Sequence, residues 1–158
     1  MGLIDYLTTK KAATPKVEDA PKFEMTENEE GKEKCTMPEL VFEMLNGSTK
    51  IHLNHLKVSG VGSYAAHKAM SKFYDGVKDQ ADRLAESYQG VTGKLMDYPK
   101  SCEFPEMKTA EDCVAYLDKL HMKVCDVQCE CEYSEIINDL DGVKTLINTT
   151  KYKLLFLS

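Results

Sequence analysis

Residues 51–90 read IHLNHLKVSGVGSYAAHKAMSKFYDGVKDQADRLAESYQG. The stretch reads as the close of one helix, a glycine turn and a second full helix. Gly60 and Gly62 flank Val61, and Ser63 follows. Glycine accepts the backbone angles of a tight reversal, and Ser63 is a good N-cap for the helix that begins there. His55 lies six residues before Val61 and His67 six after it. In an antiparallel helical hairpin, positions equidistant from the turn sit at about the same height. The spacing therefore predicts that the two imidazoles meet, provided each faces the partner helix.

The rotation of the two helices supports that meeting. His67, Met70, Tyr74, Val77, Ala81, Leu84 and Tyr88 step by three and four along the second helix, one apolar stripe headed by a histidine. Leu40, Met44, Gly47, Ile51 and His55 make a similar stripe on the first, interrupted by the polar run Asn46–Lys50. His52 falls off the His55 face and reads as a surface or packing histidine. Further along the second helix, Asp82 and Glu86 are four apart and share a face, so they can chelate one ion. Asp82 is fifteen residues beyond His67, which is roughly 22 Å along a helix. The histidines of one chain therefore cannot share an ion with their own Asp82. They can share one with Asp82 and Glu86 of a second chain packed antiparallel across a two-fold axis, and such an interface creates two identical sites.

Those four residues carry a resemblance. A helix-end histidine, a second histidine twelve residues on, and Asp-x-x-x-Glu beginning fifteen residues later resemble the ferritin-like DNA-protecting proteins of starved bacteria, the Dps family. The resemblance implies an iron-oxidising site across a dimer interface, with His55, His67, Asp82 and Glu86 as metal ligands, iron as the ion and ferroxidase-like activity. Two departures stand out. Ser71 occupies the position four after the second histidine where that family has another acid, and Leu56 the position where it has Trp. The wording SYAAHKAMSKFYDG, ADRLAESYQG and NTTKYKLLFL is similar to a phage-encoded family of short ferritin-like proteins. That likeness implies a virion or the host cytoplasm as location, and homo-oligomers or other virion proteins as partners. A virion structural or decoration protein that docks by its N-terminal arm is the alternative reading, with the metal site a relic.

Outward from this hairpin, the chain reads as an all-α, ferritin-like four-helix bundle over residues 37–158 with an extended, flexible N-terminal arm over 1–36. The bundle helices are expected at about 38–56, 64–89, 109–124 and 133–156. The arm opens on the short amphipathic MGLIDYL and continues through a polar, charged stretch with Pro15 and Pro21, a composition that cannot bury enough to fold alone. Its six lysines face eight acids, so it is not a basic DNA arm. The whole chain of 158 residues carries a formal charge of −6, which weighs against nucleic acid, since that partner needs a basic footprint. No run of about eighteen apolar residues is present, so no membrane span is expected.

Residues 91–108 form a long connection with Pro99 and Pro105, as expected for the crossover between two halves of a bundle. Thr109 with Asp112 resembles a capping box, and Val114, Leu117, Leu120 and Val124 mark the inward face of the third helix. Ile136, Leu140, Val143, Leu146 or Ile147, Thr150, Leu154 and Leu157 mark the fourth. Its apolar ending, KYKLLFLS, is expected to pack in the bundle or against a partner. No secretory signal is expected, and on that expectation the six cysteines read as reduced thiols. His121, Cys125, Cys129 and Cys131 invite a metal reading, but their spacing is neither of the usual C-x-x-C pairs, and small half-buried thiols near a helix end explain them as well. No Glu-x-x-His occurs, which argues against an intrachain di-iron centre of the kind ferritins hold.

Overall fold

A computed structural model describes residues 34–157. Within them the chain is all α, with helices α1 (Met37–His55), α2 (Ser63–Thr92), α3 (Ala110–Glu130) and α4 (Ser134–Phe156). α1 packs on α2 and α3, and α4 packs on the same two, so the order around the bundle is α1, α2, α4, α3. Cross-helix bonds give the directions. Ser48 Oγ donates to the Tyr74 carbonyl at 2.8 Å and Asn54 Nδ2 to the Thr109 carbonyl at 2.9 Å. Gln80 Nε2 reaches the Gly142 carbonyl at 3.4 Å, and Lys151 pairs with Asp118. Every neighbouring pair runs antiparallel. Residues 93–109 must then return along the whole bundle, which makes this a bundle with one long crossover rather than an up-down-up-down one.

Local chemistry sets the ends. The Glu39 carboxylate accepts from both the N–H and the hydroxyl of Thr36 at 2.8 Å, closing the start of α1. Thr109 and Asp112 form the expected reciprocal box at α3. Three expected boundaries shift. Gly62, with φ of 77°, is the N-cap of α2, and Ser63 is its first helical residue. α2 continues through Gly90 to Thr92 and stops at Gly93, whose φ of 66° only glycine adopts readily. Gly90 is exposed with nothing near it, so it costs α2 only propensity. α3 runs six residues past the expected end because Val127 continues its buried face.

The core holds the expected stripes and more. Leu40, Met44, Ile51, Met70, Leu84, Leu117, Leu120, Ile136, Leu140 and Ile147 are fully buried, and so is Phe73. Phe73 lies outside the single stripe read from the sequence. α2 touches two neighbours, so its buried face is wider than one stripe, and Tyr74 is left half-buried. Met107 of the crossover is buried in the same core.

α1 continues as one helix through the polar run that interrupts its apolar stripe. Gly47 sits under Tyr116, and a Cβ there would overlap the Tyr116 hydroxyl. That hydroxyl donates to Glu43 at 2.7 Å, and the buried Lys50 pairs with the same carboxylate at 2.9 Å. Lys123 approaches it at 3.6 Å, and Lys50 also lies over the rings of Tyr116 and Phe104. Asn46–Lys50 thus locks α1 to α3 and the crossover.

Of the expected arm, residues 1–33 lie outside the described residues. The last three belong to the bundle: Lys34 pairs with Glu130, Cys35 packs against the core and Thr36 caps α1. At the other chain end Leu154 is buried, while Tyr152, Leu155, Phe156 and Leu157 are exposed. Among the described residues, no helix is long and apolar enough to cross a membrane.

Candidate metal centre

The hairpin turn brings His55 and His67 together. Their ring centroids are 3.6 Å apart and the planes 26° from parallel. His67 Nδ1 lies 3.3 Å from the His55 carbonyl. With the proton on Nδ1, that bond orients the ring and leaves the Nε2 lone pair free, the arrangement by which proteins hold a histidine ready for a metal. His55 is buried, and its Nδ1 has no hydrogen-bond partner. Burial holds the His55 imidazole below its ordinary pKa, with the charges of His67 and His52 adding to that and Asp75 opposing it. A neutral ring is the form that ligates.

Two aromatic neighbours complete a cluster that the motif alone does not contain. His52 stacks on Tyr74 at 4.1 Å, and Tyr74 stands edge-on to His55 at 5.3 Å. His52 is therefore a packing histidine. Tyr74 lies thirteen residues after Val61 and Ser48 thirteen before it, so the same reflection about the turn that pairs the histidines also predicts the Ser48–Tyr74 contact. Asp75 is the further member. It stands two turns beyond His67, one turn beyond Ser71, and its charge reaches His55.

Asp82 and Glu86 are both exposed on α2 and carry no hydrogen bond or ion pair to any described residue. Among the described residues no group of three or more His, Cys, Asp or Glu is placed to hold a metal ion. One chain therefore presents paired imidazoles at one level of the hairpin and, separately, exposed carboxylates further along α2. The donor types suit iron, and the orphaned His55 nitrogen fits a ligand role. The stacked rings set a condition, because an ion lies in the plane of the imidazole that binds it. Two nearly parallel rings cannot both reach one ion without a rotation, whereas each can serve its own ion in a two-metal site.

One family model matches the chain, over residues 55–154, with the description "Family of unknown function (DUF5856)". No curated protein and no solved structure matches it.

Proposed function

The chain belongs to the Family of unknown function (DUF5856), and on that footing we propose that it is a ferritin-like, Dps-type oligomeric bundle that takes up ferrous iron at sites shared between two chains. The observation that carries this reading is the His55–His67 pair, with one ring oriented by a backbone carbonyl and the other left with an unpartnered nitrogen. Three features support it. The bundle has a single long crossover between its second and third helices, the connection ferritin-like folds use. Asp82 and Glu86 are free to serve another chain. Exposed Leu53, Leu56, Val61 and Tyr64 surround the hairpin turn and fit burial against a second copy.

The test is the solution mass of the purified chain with and without Fe²⁺, measured together with bound iron. A multimer holding one or two irons per two-fold interface is expected, with that iron lost in both His67→Ala and Asp82→Ala. A metal-free monomer overturns the reading. The exposed apolar end of α4, Tyr152 with Leu155, Phe156 and Leu157, favours a second reading, a virion structural protein that docks on a larger assembly. Under it His67→Ala leaves assembly intact, and deletion of residues 1–33 abolishes it.

A further inference from the structure

The outer face of α2 is divided by charge. Its exposed positions step by three and four along the helix, so they share one face. Lys68 and Lys72 come first, and Asp75, Asp79, Asp82 and Glu86 follow. None of the six makes a hydrogen bond or an ion pair with a described residue. Two further basic side chains in the acidic half are engaged elsewhere. Arg83 pairs with Asp139 of α4, and Lys78 lies over the Tyr74 ring at 6.0 Å. Like charges one turn apart destabilise a helix, so this face carries a cost in a single chain that an opposite charge would remove. We propose that it is a contact between two copies of the chain, packed antiparallel along α2 about a two-fold axis near Asp75. Lys72 and Lys68 of each copy then stand against Asp79 and Asp82 of the other.

The charge pattern selects a second copy as the occupant. A two-fold contact needs a surface complementary to itself, and a face basic in one half and acidic in the other meets that need when it is reversed. Lys68 lies seven residues before Asp75 and Asp82 seven after it, while Lys72 lies three before and Asp79 four after. An antiparallel partner centred there makes both kinds of pair at once. A parallel partner would set lysine on lysine and acid on acid, which complementary interfaces avoid. The same register sets the exposed Val61 of the turn beside Gly90 of the second copy, an exposed glycine with open space over it. Asp75 falls near the axis and meets its own copy, a like-charge contact that the flanking pairs outweigh. The inference deepens the two-chain packing proposed above and rests on it, but it needs no iron.

The test measures self-association of the full-length chain by sedimentation, with a chelator present so that no metal takes part. Lys72→Glu and Asp79→Lys each enter the interface twice and bring like charges together, so each is expected to weaken association about tenfold or more. Mixed one to one, the two variants should regain the association of the parent chain, because every mixed pair restores two opposite-charge contacts. Recovery on mixing also excludes misfolding as the cause of the loss. Added salt should weaken the parent's association, and Asp75→Asn, which removes the contact at the axis, should strengthen it. Lys72 and Asp79 lie outside the proposed metal ligands, so the result does not depend on iron uptake. Association of both reversals as tight as the parent's overturns this register and leaves the two-chain packing standing. Loss in both without recovery on mixing overturns the register as well. A parent chain that stays monomeric overturns the register and the packing together.

Discussion

Gly47 is a residue whose side chain is defined by what it must not touch. A methyl there meets the Tyr116 hydroxyl, the group that donates to Glu43. Overpacking of this kind costs about 1–3 kcal/mol, against about 1 kcal/mol that alanine returns in helix propensity. Gly47→Ala is therefore expected to lose up to about 2 kcal/mol in denaturant unfolding. In a Tyr116→Phe background the obstructing oxygen is gone, so the same substitution should cost less, and the two changes should be clearly non-additive. Glu43 supplies the matching pH dependence. Burial pushes its carboxyl up, but the Tyr116 hydroxyl, Lys50 and Lys123 outweigh burial and hold it below the ordinary value. A carboxyl with a depressed folded pKa contributes stability that is fully present above its unfolded value of about 4.5 and disappears as pH falls through the folded value. Glu43→Gln should lower stability at neutral pH and flatten its decline below about pH 4.5, read from unfolding curves across pH. None of this lock was legible in the sequence. A polar run on an apolar stripe looks like a weakness until its partner is known, and Tyr116 lies 73 residues from Glu43.

At the scale of the elements, the sequence carried most of the fold. Apolar spacing placed all four helices, because each has a buried stripe at the helical period. Capping chemistry fixed the start of α3, and Thr109→Ala should cost about 1 kcal/mol, checked by chemical denaturation. The ends of helices were less legible. Gly90 reads as a stop signal, yet glycine at an exposed helix position is only a modest penalty, and the left-handed residue that ends α2 is Gly93. Phe73 was missed for a related reason. A helix touching two neighbours buries more than one stripe, and single-sequence periodicity does not say which flank the second neighbour occupies. The crossover was legible as a connection but not as a packing element, since nothing in its composition sets Met107 apart as core.

At the scale of the whole molecule, the histidine pair was legible because reflection about a tight turn is geometry alone. The same reflection, taken to Tyr74, gives part of the surrounding cluster. Asp75 was not legible as a neighbour of His55, because its effect depends on the rotation of α2 against α1. Under the proposed reading Asp82 and Glu86 complete a site only through another copy of the chain, and this makes a sharp prediction. Suppose His67→Ala and Asp82→Ala chains are each unable to hold iron and are then mixed under conditions that let subunits exchange. In a mixed two-fold pair, one site receives both substitutions and the other receives neither. One intact site per mixed pair should return, and with random exchange half of all pairs are mixed, so a quarter of the parent iron content is expected across the sample. An intrachain site built on both residues would regain nothing, because each chain would carry its own lesion into every pair. Iron content after mixing, set against the unmixed variants at the same total concentration, separates the two arrangements. Recovery that fails while mass measurement shows mixed pairs present would remove the shared site and leave the hairpin histidines as a packing cluster of the bundle.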